Sequence, residues 1–561
     1  MARPYRPVKP IPFELRQHCG IYFEEQLHCH ALNLLLSLVY SGTAASSAAF
    51  IPPPEFLALA ATFIVHPSTT TRAKSKEKQQ AANLSLQLLS LVNSLVGPIG
   101  AKFGIAFTFT HFSTSRSGAK RSIDNFDGAS DEIETLNFEL AQRGSLWSRA
   151  GDFWHIVGWA FNCAVLHPNR WPRWKLLLEF ICDMLEADWR DRLQQGKNLK
   201  DYGTKAEILR GSIIYKWLET TSSGVSSRDR RIMRAIFADG ASNSVNEFRE
   251  VFHNELKELQ KENSFSQKRD VVVNIDEDIY GDYLDRDVDD DEEESDSPPT
   301  IGGELPSRPK RQRRARVKNS GAIDVDRNHD LLNMSCSDNI ALLGDLECLS
   351  LRQRLLAIIS AVSAAIPDDF MHIEQLYHLM VEFILPLPLP IFQLFVSPSV
   401  LLNFPVDAQV TLCEMLLERL RENKNLFSQG PSFFNQSKLE LYLPLTANNA
   451  DVFDNTRVSI LLESAIRLLS INGLLRVTPS FKQALNVGID ARGEKAQSDT
   501  KKGQNRLKAE ELAWTWLIES GERLAYLTEE VFEEEVEPLR ASSALRSKKK
   551  IKDDTLGFFH V

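Results

Sequence analysis

RAGDFWHIVGWAFNCAVLHPNRWPRWKLLLEFICDMLEADWRDR, residues 149–192, decides the fold class. Phe153, Ile156, Val157, Ala160, Phe161 and Ala164 recur at helical spacing and form one apolar stripe. After the His-Pro-Asn turn, Trp174, Leu177, Leu178, Ile181, Leu185 and Trp189 form a second. Two such stripes joined by a short turn predict an antiparallel helical hairpin. Asp152 is placed to cap the first helix, and Pro172 falls in the opening turn of the second, where a missing N–H costs nothing.

The same period extends through residues 13–265. Helices are expected over 24–40, 55–65, 79–96, 131–143, 205–220, 228–238 and 244–262, separated by Gly, Ser and Pro clusters. GIAFTFTHF, at 104–112, alternates enough to read as a strand. From 338 to 530 the helical period returns, and Gly473 is positioned to end a helix by a left-handed cap. There is no fixed repeat length. The expected fold is therefore mainly α, with two irregular helical-hairpin lobes, HEAT-like or bundle, over 13–265 and 338–530.

Between the lobes, residues 266–337 have little apolar content. Such a stretch cannot bury enough surface to offset about 1–2 kcal/mol per residue of backbone ordering, so a disordered charged linker is expected. Its charge is sharply divided. Residues 276–296 hold thirteen Asp or Glu against Arg286, whereas Arg308, Lys310, Arg311, Arg313, Arg314, Arg316 and Lys318 form a compact basic run. A second charged segment, 531–561, closes the chain.

The 561 residues exceed what one core usually organises, and 43% hydrophobic with 25% charged residues is an ordinary globular composition. The net charge is −10, but removing the two runs leaves about −5 for the rest. That is not the footprint of a surface built to neutralise many phosphates. Seven scattered cysteines without a CxxC or a secretory leader suggest reduced thiols inside a cell. The most membrane-like stretch, 379–404, carries Glu382, Gln393 and four prolines, so it reads as a buried connection between helices.

Candidate chemistry is sparse, and no cofactor is expected. GPIGAKFG, at 97–104, lacks Walker spacing and reads as a turn. HCGIYFEEQLHCH, at 18–30, is rich in His and Cys, yet on a helix His28 and His30 point about 200° apart and cannot share one ion. His372 and His378 lack the HExxH spacing, so Glu374 and His378 read as a surface pair. In NRWPRWK, Arg170, Arg173 and Lys175 could hold phosphates while the tryptophans stack on bases, although Trp174 and Trp189 also fit as core anchors.

The basic run 308–318, kept extended by Pro306 and Pro309, has the composition of a nuclear-import signal, and Ser297 before two prolines is a candidate phosphosite. Together these features predict a non-enzymatic nuclear scaffold or adaptor in a chromatin-associated complex, in genome maintenance or transcription. Its expected partners are the other subunits, an import receptor, and DNA or a histone, with no membrane; the tether would let the lobes move. Direct DNA or RNA binding by the basic linker and the Trp/Arg hairpin is the alternative.

Overall fold

In the computed structural model the quoted stretch is a hairpin of α7 (Phe153–Leu166) and α8 (Trp171–Gly196), and both stripes lie in the core. The structure describes residues 5–41, 48–109, 136–197, 202–219, 225–257, 343–398, 404, 406–421, 434–498 and 510–529. Asp152 accepts a hydrogen bond from the His155 N–H at 2.7 Å and caps α7, while Pro172 sits in the first turn of α8. Trp154, Trp159 and Trp174 are fully buried. Each removes a large apolar surface from water, at about 25 cal/mol per Å².

Around this hairpin the N-terminal half arranges α1 (Phe13–Glu24), α2 (His28–Ser41), α3 (Pro54–Val65), α4 (Lys76–Gly100) and two single-turn helices, α5 (Phe103–Ala106) and α6 (Leu146–Arg149), with α4 packed on α2, α3 and α8. Three short helices follow α8: α9 (Tyr202–Arg210), α10 (Ile213–Glu219) and α11 (Val225–Ile236). The last of these lies against α7. Two three-residue strands, Val8–Pro10 and Ala49–Ile51, pair in parallel with Val8 opposite Ala49. The C-terminal half has helices Leu346–Ala365, Ile373–Ile384, Leu389–Val396, Val406–Leu420, Gln436–Tyr442, Val452–Ile471, Pro479–Gln497 and 510–529. Gly473, at φ 64°, ends Val452–Ile471, and the Leu474 N–H closes back on the Leu469 carbonyl at 2.9 Å. The fold is mainly α, with irregular helical hairpins on both sides of 258–342.

Several expected boundaries shift for local reasons. The 24–40 helix is broken at Gln26 (φ 57°), so α1 ends before α2 starts. The aromatic alternation at 104–112 belongs in its described part to a helical turn, because Phe103 and Phe107, four residues apart, stack at 5.0 Å. Residues 110–112 lie outside the described residues. Only one tight turn, Glu139–Ala141, stands in the described part of 131–143. The 244–262 helix stops after Glu247, because Phe248, Phe252 and Glu255 all turn into the core; Gly158 admits the Phe248 ring, which a Cβ there would meet at 2.3 Å. In its described part the 379–404 stretch belongs to two helices, Ile373–Ile384 and Leu389–Val396, joined through the buried Leu387, and residues 399–403 lie outside the described residues. By length and composition Lys76–Gly100 and Leu346–Ala365 could cross a membrane, and both pack into the helical body.

Both helical halves belong to one compact unit. Arg352, fully buried, lies 4.1 Å from the centroid of the Phe161 ring and donates to the Ile236 and Ala238 carbonyls at the end of α11. Phe237 contacts Phe383 and Phe395 at 5.5 and 5.4 Å between centroids. Arg354 bonds Glu186 at 2.7 Å and Asp183 at 2.6 Å. A guanidinium closing the carboxyl end of a helix recurs: Arg170 reaches the Val65 carbonyl, and Arg492 the Leu443 and Leu445 carbonyls. Helix ends leave such carbonyls without intrahelical donors, and a cation there also meets the negative end of the helix dipole.

Candidate functional site: a clamp on the first turn of the eighth helix

The 258–342 segment leaves the described body after Lys257 and returns at Leu343, and both stems are held by residues 170–175. On the outgoing stem, Glu255 is buried and accepts five hydrogen bonds. Arg170 gives two to Oε1, from Nε at 2.8 Å and Nη2 at 2.5 Å, and Trp174 Nε1 gives a third at 2.8 Å. Oε2 receives Trp159 Nε1 at 3.1 Å and the Phe252 N–H at 3.3 Å. The other guanidinium nitrogen of Arg170 donates to the Thr70 and Thr71 hydroxyls at 2.8 and 3.2 Å. This is a fully coordinated buried ion pair, the condition under which burial of two charges is tolerable.

On the returning stem, Trp171 Nε1 donates to Asp345 Oδ2 at 3.2 Å, and Lys175 bonds Glu347. Asp345 also caps the Leu346–Ala365 helix by accepting the Cys348 N–H at 2.7 Å. Gly344, at φ 87°, brings the chain in so closely that a Cβ would meet Ala164 Cβ at 3.2 Å. Four side chains at the start of α8, Arg170, Trp171, Trp174 and Lys175, therefore hold both stems of the charged segment.

This placement corrects one sequence expectation. Arg170 is buried and fully engaged with Glu255, Thr70, Thr71 and Val65, so it has no face to offer a phosphate. Arg173 donates to Asn83 Oδ1 at 2.7 Å at the surface, and Lys175 bonds Glu347 and, at 3.8 Å, Glu179. Trp174 and Trp189 are core residues. The import run Arg308–Lys318 and Ser297 lie outside the described residues. Glu255 and Arg352 were missed because each acts on partners remote in the chain; Asp345 carries a local N-cap signal, but its bond to Trp171 is equally remote.

The histidine- and cysteine-rich 18–30 stretch does not converge. Cys19, Cys29 and His28 are buried, whereas His18 and His30 face outward. Among the described residues no group of three His, Cys, Asp or Glu is arranged to hold a metal. Burial pushes the Cys19 thiol up to about 11 and those of Cys182 and Cys413 up to about 12, so these cysteines are packing groups. Gly97, at φ 72° with the Tyr5 ring 2.6 Å from where a Cβ would be, makes the 97–104 glycines a turn.

Two histidines tie the body to pH. His28 lies between Phe63 and Phe138, and burial, then Lys78, lowers its pKa to about 4. His66 stands beside the clamp, edge-on to Phe252, with Nδ1 accepting the Ser68 N–H; burial, then Arg170, Arg149 and Arg72, lowers it to about 4. Both are neutral in the fold and protonate near pH 6.5 when unfolded, so their contribution is complete above about 6.5 and is lost as pH falls toward 4. Unfolding free energy at pH 4.5 should drop by about 2–4 kcal/mol from these two groups, discounted for partial solvent access. Denaturant midpoints across pH 4.5–7.5 test this. The slope should shrink in His28→Phe and His66→Asn, and an unchanged slope in both would refute the assignment.

No family model matches this chain, and no curated protein matches it in sequence.

Proposed function

We propose that this protein is a non-enzymatic scaffold or adaptor subunit of a chromatin-associated nuclear complex, in genome maintenance or transcription. The observation that carries the reading is the clamp: the segment bearing the basic run is anchored at both ends on one helical turn of a folded body. A display of that kind suits a recognition sequence read by another protein, because the anchors fix where it emerges. The run Arg308, Lys310, Arg311, Arg313, Arg314, Arg316 and Lys318 is the proposed ligand of an import receptor, with Ser297 as a phosphosite beside it. Helical surfaces on the body supply docking faces for the other subunits.

The nucleic-acid alternative loses its hairpin support with the burial of Arg170 and rests on the basic run alone. Replacing Arg311, Arg313 and Arg314 by alanine should move the full-length protein from nucleus to cytoplasm, read as a several-fold fall in the nuclear-to-cytoplasmic fluorescence ratio. The same variant should lose import-receptor binding while keeping its unfolding midpoint. Unchanged nuclear accumulation would remove the basis of the proposal.

A further inference from the structure

Two serines among the described residues stand three positions after an arginine: Ser75 after Arg72, and Ser470 after Arg467. Their settings differ. Ser470 lies in the last turn of the Val452–Ile471 helix, and Arg467 is held by Glu463 at 3.0 Å. Ser75 is exposed and precedes α4 with an extended backbone, at φ −139° and ψ 154°. Exposed lysines, Lys74 and Lys76, flank it, Lys78 follows, and Glu77 is the single acid in residues 70–80.

Kinases that act on basic substrates discriminate by charge pattern: an acidic groove reads cations around the acceptor, above all an arginine three residues before it, and takes the substrate as an extended chain. Residues 70–75 offer that pattern in a surface turn, where local opening costs least. Arg72 is half-buried and donates through Nη1 to the Asn254 carbonyl at 3.4 Å, a long bond that carboxylates of such a groove outcompete. On the other side of the acceptor Lys76 opens α4, and the first turn of a helix, whose N–H groups lack intrahelical partners, frays before the rest.

We infer that Ser75 is a phosphorylation site for a basophilic serine kinase that uses ATP. Ser75 Oγ attacks the γ-phosphorus and a new P–O bond forms; the bond from that phosphorus to the β,γ-bridging oxygen breaks, ADP leaves, and the hydroxyl proton passes to the kinase's catalytic aspartate. The fold favours the product. Ser75 Oγ already accepts the Lys78 N–H at 3.3 Å as the cap of α4, so the phosphate, of charge about −2, sits at the positive end of the helix dipole among three lysines. Four cations and one acid become a nearly neutral turn. Because α4 packs on α2, α3 and α8, the mark is carried by the folded body, and the inference is independent of the import reading.

The test is phosphorylation of the folded full-length protein by the catalytic subunit of cyclic-AMP-dependent protein kinase with ATP and Mg²⁺, mapped by mass spectrometry, beside a synthetic peptide of residues 68–82. Ser75 should be modified in both, the protein within about tenfold of the peptide's rate, as the opening of a surface turn allows. Arg72→Ala should lower kcat/KM by about tenfold or more in protein and peptide alike, the loss of one charge-assisted pair. Ser75→Asn keeps a capping acceptor and should abolish the product without moving the unfolding midpoint. In the phosphorylated protein the Lys78 amide should exchange about two- to fivefold more slowly. A peptide that is modified while Ser75 of the folded protein is not would overturn the proposal, since the fold would then withhold the site. An unmodified peptide would overturn it as well, and faster Lys78 exchange after modification would remove the phosphate from the helix end. The alanine variant at Arg311, Arg313 and Arg314 should be phosphorylated at Ser75 at an unaltered rate, so failure of the import reading and failure of this one are separable.

Discussion

Replacing Glu255 by alanine lowers the unfolding free energy by about 3–5 kcal/mol, the range expected when one partner of a buried ion pair is removed and the other stays. The carboxylate answers two N–H groups of Arg170, the indole N–H groups of Trp159 and Trp174, and the Phe252 backbone. Without it a guanidinium is left buried with only hydroxyls and a carbonyl, and two indoles lose their acceptor. Glu255→Gln keeps the shape but presents an NH₂ to an array of donors, so it should recover little. Arg170→Met with Glu255→Leu removes both charges together and should recover much of the loss, limited by the two indole N–H groups. Denaturant unfolding of the four proteins separates these terms. A loss below about 1 kcal/mol in Glu255→Ala would mean that the pair does not hold the outgoing stem.

What the sequence makes legible, and what it hides, follows from the range of each interaction. The α7–α8 hairpin can be read because its signals are local: apolar residues at a 3.6 period, Asp152 as cap, Pro172 in the opening turn. Gly473 is local in the same sense, since only its own backbone conformation is at issue. The clamp is not local. Glu255 meets Arg170 eighty-five positions away, and Arg352 reaches Ile236 at a separation of 116. A charged residue is usually exposed, so residue type pointed away from the core in both cases. Arg170 was especially ambiguous, because a planar fork of donors between tryptophans suits a phosphate and a buried carboxylate equally. The 244–262 stretch misled for a related reason. Its apolar period is real, but Phe248, Phe252 and Glu255 use it to turn into the core rather than to extend the helix.

Cutting the chain within 298–305, at an inserted protease site, leaves the two halves together as a 1:1 complex. The seam that holds them is continuous with the core: Arg352 lies buried over Phe161, Phe237 contacts Phe383 and Phe395, and Leu343, Cys348 and Leu349 are buried beside the returning stem. Buried apolar contacts of this kind, not the ion pairs at its edge, set the affinity. Arg210–Asp369 and Arg230–Glu382 are solvent-exposed and screened by salt, so they add little. Raising the salt should therefore leave the cut protein intact on a sizing column. Arg352→Ala should not, because it strands the Ile236 and Ala238 carbonyls and opens a cavity over Phe161. A loss of about 3 kcal/mol there weakens association roughly a hundredfold, enough to separate the fragments on dilution. Because the seam is closed by contacts that do not involve 258–342, the cut protein should also retain its unfolding cooperativity. If the fragments part at micromolar concentration in moderate salt with Arg352 in place, the halves are joined by the tether alone, and the clamp on α8 does not hold both of its stems.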